Sequence, residues 1–468
     1  MPRPVSEEEK QYARTLLQKA RAAMKVIESY DQANVDRLCR ALAWATANEN
    51  TFTRISRMGV DESGVGDWEG RPSKRFKILG ILRDALRQKS MGVIEEIPEK
   101  GIVKYAKPAG VIAALVPVTN PELTPPGIGI YALKCKDAVI YAPHPKTRNT
   151  TSEMVRVMRE MMRRQGVPED LFQCIEKPSI PLSQELMAIC DMTIATGGQP
   201  MVRAAYSSGK PAYGVGAGNS TMVIDETADI EEAARNTRMS KTSDNGSGCS
   251  ADGNLLVEAS IYNRFLDQLQ QEGGHLVDEV EKTKLEAVLW DAEGHRTFET
   301  VARPAAKIAG LAGFSIPEGK KFIIVKETHI GKEHLFSSEK LSPVLSIFKY
   351  SGFENALEMV RQIFEVGGKG HSCGIYSFND EHIHRLALLA PVSRMMVRQP
   401  QSKANAGAFN NGMPMTSSMG CGIWGGNITN ENVHLKHYMN VTWVSRPIKE
   451  DRPSDAELFG EFYNTETL

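Results

Sequence analysis

No two of the seven cysteines stand in C-x-x-C or any regular spacing. Cys39, Cys135, Cys174, Cys190, Cys249, Cys373 and Cys421 are scattered and odd in number. Neither a disulfide framework nor a cysteine-based metal site is therefore expected, and reduced intracellular thiols fit the pattern. A run of eighteen apolar residues is also missing, so no membrane-spanning helix is expected. The opening MPRPVSEEEK lacks the apolar stretch of a secretory signal, which points to a cytoplasmic location. Charge of one sign is not in excess. The formal net charge is −1 over 468 residues, which gives no long-range pull toward nucleic acid or an anionic membrane. Internal repeats and low-complexity tracts are absent. What remains, 41% hydrophobic and 24% charged, is ordinary globular composition in a chain long enough for about two to three domains.

The elements read as strand–helix alternation. Ser6 and Glu9 have capping-box spacing ahead of apolar residues at Leu17, Ala20, Met24 and Ile27. Helices are expected over 35–47 and 71–88, with a break rich in Gly and Asp over 59–70. Residues 91–108 alternate weakly and predict a strand pair lying apart from the core. Short apolar runs at 111–116, 138–142, 171–175, 192–195 and 212–215 predict buried parallel strands with helices between them. The alternation restarts at 255–258, 321–325, 345–350, 374–377 and 395–397, with Cys249 just before the first of these strands. A last strand is expected over 438–445. The predicted fold is α/β, with two doubly wound Rossmann-like domains plus a small β element. The expected division is 1–90 with 110–217, then 218–437, with 91–109 and 438–455 forming the extra strands. Ligands of doubly wound sheets sit at the carboxyl ends of strands. That singles out loops 117–121, 143–146, 196–200 and 214–220.

The stretch 240–254, S-K-T-S-D-N-G-S-G-C-S-A-D-G-N, surrounds Cys249 with small, polar and Gly residues. A structural cysteine favours apolar neighbours. This one is either an idle thiol on a surface turn or a nucleophile on a loop that lets it approach a carbonyl carbon closely. The loop G-V-G-A-G-N-S at 214–220 either approaches a phosphate or thiol or simply makes a tight turn. Asn120, in P-V-T-N-P, either donates to an oxyanion or fixes a turn. Glu339, in E-K-L-S-P, either accepts from ribose hydroxyls or is a solvated loop charge. His371 lies in G-G-K-G-H-S-C, where a lone histidine is structural or exposed more often than catalytic.

Together these pieces resemble one family. The aldehyde dehydrogenase superfamily carries P-x-x-N-P, T-G-[GS], a catalytic cysteine and E-x-x-[GS]-P in that order. Here they fall at 117–121, 196–198, Cys249 and 339–343. The resemblance is closer to the CoA-acylating branch. Its marks are Y-S-S-G-K-P-A-Y-G-V-G-A-G-N at 206–219, V-I-D-E-T-A-D-I at 223–230, E-K-L-S-P at 339–343 and G-C-G-I-W-G-G-N at 420–427. The S-G-C-S-A-D-G-N wording is most similar to acylating sulfoacetaldehyde dehydrogenases of sulfonate breakdown. Acetaldehyde, propionaldehyde or succinic semialdehyde are the alternatives as substrate.

The resemblance implies oxidation of a short aldehyde to its acyl-CoA, with NAD or NADP taking the hydride and coenzyme A as co-substrate. It implies Cys249 as nucleophile, Asn120 as oxyanion donor and His371 near the acyl site. Thr119, Thr196, Gly197, Gly198 and Gly216 are implied in cofactor binding, with Glu339 on the nicotinamide ribose and His144 and Lys146 near the adenosine ribose. No metal is implied. A homodimer or homotetramer joined through the extra strands is expected. Hydrolytic members carry E-L-G-G-K near the Gly-rich loop, and its Glu activates water. This chain has Val215 where that Glu would stand, and no acid lies within 214–220. Without that base water attack is slow, whereas a thiol needs less help, so thiolysis is favoured. The Cys249 thiol itself is expected to need N–H dipoles to ionise.

Overall fold

The computed structural model describes residues 3–463. Two wholly parallel sheets and one antiparallel sheet organise the chain. The five-stranded sheet runs in the order Phe172–Cys174, Ala138–Pro143, Val111–Val116, Met192–Thr196, Ala212–Val215. Its earliest strand, Val111–Val116, is central and buried throughout. The chain order reverses between it and Met192–Thr196, which is the switch point where doubly wound sheets bind ligands. The seven-stranded sheet runs Gly274–Leu276, Phe322–Glu327, Val344–Tyr350, Asn254–Glu258, Thr221–Ile224, Cys373–Tyr376, Met395–Val397. Its residues alternate between two apolar clusters. Met222, Ile224, Leu255 and Val257 enter one, and Val223, Leu256 and Phe348 the other. Both faces are therefore buried, as a parallel sheet requires.

The expected α/β architecture is present, with three local corrections. The break expected over 59–70 is helical as far as Ser63, because a helix covers Glu49–Ser63. Gly59 sits inside it, where the missing β-carbon admits Pro121 and Thr150; a β-carbon there would lie 3.2 Å from each. The Gly marks close packing of this helix on the Asn120 loop, not a turn. Two strands, Thr221–Ile224 and Gly274–Leu276, escaped the periodicity. Four-residue and three-residue strands carry too little pattern to be told from loop. Cys249 therefore precedes the second strand of its sheet in chain order, not the first.

The capping box at Ser6 and Glu9 is formed and starts the helix Glu7–Val26. The three-stranded sheet joins Gly92–Ile97, Ile102–Pro108 and Met439–Ser445, all antiparallel and paired with neither large sheet. Among the described residues no helix is long and apolar enough to cross a membrane.

Candidate active site

The site forms where opposite ends of the two large sheets meet. Loops at the carboxyl ends of Val111–Val116 and Met192–Thr196 supply Asn120 and Gly198. Cys249, Glu339 and His371 come from the amino ends of Asn254–Glu258, Val344–Tyr350 and Cys373–Tyr376. The carboxyl-end rule therefore located the loops of the first sheet and missed the side of the second.

The loop bearing Cys249 leaves helix Ile230–Thr242 through an unusual backbone. Asp244 and Asn245 both take left-handed conformations, with φ of 51° and 52°. Asx residues tolerate this region because their side chains can bond locally. Here Asn245 donates to the Gly66 carbonyl at 2.9 Å. Asp244 accepts from the Asp67 N–H at 2.7 Å and from Ser247 Oγ at 2.6 Å. The turn places the partly covered Cys249 beside the Gly-rich loop. A β-carbon on Gly218 would lie 1.9 Å from the Cys249 carbonyl oxygen, so only glycine permits this approach.

The Cys249 thiol meets His371 Nε2 at 3.0 Å. His371 is fully buried, and its Nδ1 lies 2.9 Å from Ser372 Oγ. Ser372 Oγ is 3.1 Å from Ser220 Oγ, which donates to the Cys249 carbonyl at 3.4 Å. This order of partners assigns a neutral imidazole carrying its proton on Nδ1 and offering Nε2 to the thiol. Burial, with Arg394 adding to it, holds the imidazole down to about 3. Burial pushes the thiol well above the ordinary cysteine range; Glu339 and Cys421 add to this and Arg394 opposes it. The Cys249 backbone N–H acts in the expected direction, but burial outweighs it. The pair rests as neutral thiol and neutral imidazole, because a buried pocket disfavours both charged forms.

Glu339 accepts the Gly218 N–H at 3.1 Å, which brings a carboxylate to the Gly-rich loop from a distant segment. Burial pushes this carboxyl up to about 7, against the Gly218 N–H and the Lys241, Arg296 and Lys340 charges. The next residue, Lys340, is buried and donates to the carbonyls of Gly253 and Ser338 and to Asn254 Oδ1, at 2.9–3.1 Å. It thereby staples the Glu339 segment to the strand that follows Cys249.

Asn120 joins the nucleophile loop through Lys74. The Lys74 ammonium donates to Asn120 Oδ1 at 2.7 Å and to the Thr119 carbonyl at 3.2 Å, and pairs with Asp244 at 2.6 Å. Gly198 is the N-cap of helix Gln199–Tyr206, which has no side-chain cap. Pro200 brings no N–H and the Met201 N–H closes on the Gly198 carbonyl at 3.0 Å, so what this turn offers an anion is the positive end of the helix, with Gly197 and Gly198 presenting no side chain before it. Thr196 Oγ1 meets Ser418 Oγ at 2.8 Å. Gly216 is buried, and its N–H is directed to the Cys421 sulfur. The helix N-terminus behind two side-chain-free glycines and the half-buried Glu339 carboxyl fit a dinucleotide.

His144 and Lys146 stand apart from the thiol, at the end of Ala138–Pro143. His144 Nδ1 accepts the Lys146 N–H at 3.1 Å, and the Lys146 ammonium lies 3.3 Å above the Phe298 ring.

The sequence reading passed over Lys74, Arg71, Asp244, Ser220, Ser372 and Arg394. Asp244 was inside the quoted stretch but had no motif of its own. Lys74 and Arg394 carry no local signal, since their roles arise from contacts across the chain.

A Cys–His pair beside a Gly-rich loop, on two facing Rossmann-like sheets, defines a thiol-dependent oxidoreductase architecture. The chain belongs to the aldehyde dehydrogenase family: the pattern described as "Aldehyde dehydrogenase family" matches residues 4–420. It is 45% identical to a sulfoacetaldehyde dehydrogenase of Acholeplasma sp over 95% of this chain and 93% of that protein. The structure of an acetylating aldehyde dehydrogenase from Geobacillus thermoglucosidasius superimposes with a TM-score of 0.91 at 34% identity, covering 96% of this chain and 99% of that one. A Rhodopseudomonas palustris propionaldehyde dehydrogenase with bound propionyl-CoA superimposes with a TM-score of 0.83 at 25% identity, covering 93% and 94%.

Proposed function

We propose that this protein is a CoA-acylating aldehyde dehydrogenase that converts sulfoacetaldehyde, coenzyme A and NAD(P)⁺ to the acyl-CoA and NAD(P)H. The observation that carries this reading is the Cys249 thiol 3.0 Å from His371 Nε2, in a chain with Val215 buried where a hydrolytic relative carries its acid. Cys249 adds to the aldehyde carbon as its proton passes to His371 Nε2. The Asn120 amide and the Cys249 N–H steady the oxyanion. The dinucleotide, when bound, supplies the hydride acceptor that turns this adduct into a thioester on Cys249. Thr119, Thr196, Gly197, Gly198 and Gly216 hold its phosphate side, Glu339 its nicotinamide ribose, and His144 and Lys146 its adenosine end. His371 gives that first proton to solvent, takes the proton of the coenzyme A thiol as its sulfur attacks the thioester carbon, and returns it to the departing Cys249 thiolate. No carboxylate touches His371 or the thiol among the described residues, which favours a nucleophile needing little activation.

The substrate assignment is supported by the likeness to the Acholeplasma enzyme and by the small residues around Cys249. The three-stranded sheet supports a homo-oligomer, and free thiols throughout the described cysteines fit a cytoplasmic setting.

The test is absorbance-monitored NADH and NADPH formation with sulfoacetaldehyde, acetaldehyde, propionaldehyde and succinic semialdehyde, each with and without coenzyme A. CoA-dependent turnover strongest with sulfoacetaldehyde is expected. Cys249→Ala is expected to abolish it while leaving the thermal unfolding midpoint in place. Equal rates without coenzyme A would show that water deacylates the enzyme, and turnover in Cys249→Ala would remove the thioester from the mechanism.

A further inference from the structure

We infer that Lys74 is a positioning residue that fixes and polarises the Asn120 amide and, through Asp244, ties it to the loop bearing Cys249; this rests on the acylating dehydrogenase reading above. Lys74 closes the short helical turn Arg71–Lys74, which precedes the whole five-stranded sheet in the chain. Its ammonium has three N–H donors, and the three acceptors at 2.6–3.2 Å are Asp244 Oδ2, Asn120 Oδ1 and the Thr119 carbonyl. None of these is a solvent-facing convenience: Lys74 is mostly covered and Asp244 is buried.

The consequence for Asn120 is directional. An asparagine amide can present either its oxygen or its NH2 to a ligand by rotating half a turn. An ammonium on the oxygen forbids that rotation and turns the NH2 away from Lys74. One of the two N–H groups finds only Thr119 Oγ1, at a long 3.4 Å, so donor capacity is left for an oxyanion. A cation on the carbonyl oxygen also draws electron density from the nitrogen and strengthens its N–H as a donor. Lys74 thus acts on the oxyanion through Asn120.

The consequence for Cys249 is registration. Asp244 is held by Arg71 through Nε at 3.0 Å and Nη2 at 2.9 Å, and Arg71 is wholly buried. Burial works to raise the Asp244 carboxyl, but the Lys74 and Arg71 charges outweigh it and keep it well below the usual carboxylate range. Arg71 is shared between Asp244 and the buried Glu122, 3.8 Å away, so Lys74 completes the charge balance at Asp244, but that role alone would not require its bonds to Asn120 and Thr119. What Lys74 adds is the link from the left-handed turn before the nucleophile to the oxyanion donor on the other sheet.

The experiment compares Lys74→Met, Asn120→Ala and the double variant with the intact chain, by steady-state kinetics with coenzyme A and by thermal unfolding. Loss of a whole oxyanion donor costs about 10²–10³ in kcat. For Lys74→Met we expect a fall of about tenfold or more in kcat, within that ceiling, with KM for aldehyde and coenzyme A changed by less than about threefold. The double variant is expected to lose clearly less than the product of the two single losses, because Lys74 acts largely through that amide. Should Lys74→Met fail to fold, Lys74→Gln serves, keeping a donor without the charge. An unchanged kcat, or losses that multiply in the double variant, overturns the inference. Failure of the underlying reading shows elsewhere, as wild-type turnover in Cys249→Ala with Lys74 intact.

Discussion

The reactivity of Cys249 is set by one contact and one environment. The contact is His371 Nε2 at 3.0 Å; the environment is a pocket that burial makes hostile to both thiolate and imidazolium. With the imidazole held down to about 3, His371 stays neutral and able to accept a proton at any pH above that. The thiol, pushed up, stays protonated through neutral pH. The reacting form of the pair therefore does not change between about pH 5 and 8, whereas a free histidine would titrate near 6.5. Any change in single-turnover NADH formation over this range should therefore come from Glu339, whose carboxyl is pushed up to about 7, and not from the Cys249–His371 pair. An acid limb centred near 6.5 that disappears in His371→Gln would contradict this assignment. His371 illustrates what a sequence can and cannot convey. Its neighbours G-G-K-G and S-C mark a tight loop, but its partner lies 122 positions away, and no local pattern encodes that distance. Cys249 was legible because small residues crowd around it in sequence as well as in space. Its ionisation was not, since burial is a property of the fold.

The nucleophile loop carries the main strain and the main anchor at the scale of elements. Asp244 and Asn245 hold left-handed φ values at the exit of helix Ile230–Thr242, a conformation that costs of order 1–3 kcal/mol unless surrounding contacts over-determine it. Arg71, Lys74, Ser247 and the Asp67 N–H supply those contacts. Asp244→Ala should therefore do two things. It frees the loop, and it leaves the buried Arg71 with Glu122 as its remaining carboxylate, 3.8 Å away. Removing one partner of a buried ion pair typically costs about 3–5 kcal/mol, and denaturant titration should report a loss of that size. A loss below about 1 kcal/mol would mean that the cluster reorganises and does not clamp the loop. The elements themselves were largely readable. Buried strands such as Val111–Val116 and Ala138–Pro143 announce themselves as apolar runs between turns. The sequence predicts no helix over Glu49–Ser63, and the end of this helix reads as part of a break because Gly59, a packing residue against Pro121, looks like a breaker when its neighbours in space are unknown.

At the scale of the whole molecule, one part of the fold leaves apolar surface uncovered among the described residues. The sheet of Gly92–Ile97, Ile102–Pro108 and Met439–Ser445 pairs with neither large sheet. It leaves both outer edges open, and open edges of this length invite pairing with another chain. It also bears exposed apolar side chains: Trp443 is 60% exposed and Val441 39%, and their spacing of two puts them on one face. Lys104 reaches 4.2 Å from the Trp443 ring but covers only part of it. A strand layer without a second layer cannot bury a core, and in the homo-oligomer proposed above another copy would supply that layer. In a two-fold interface each substitution is felt twice. A central Trp is commonly worth about 2 kcal/mol or more, so Trp443→Lys should weaken association by about 4 kcal/mol, near a thousandfold in Kd. Light scattering after size exclusion should find the intact chain as a dimer or tetramer and Trp443→Lys with Val441→Lys shifted to the mass of one chain at micromolar concentration. Because the active site lies between the two large sheets and takes no residue from this sheet, the dissociated variant should still form the Cys249 thioester. A single-chain mass for the intact protein, or an unshifted mass for the variant, would show that the face is covered in some other way.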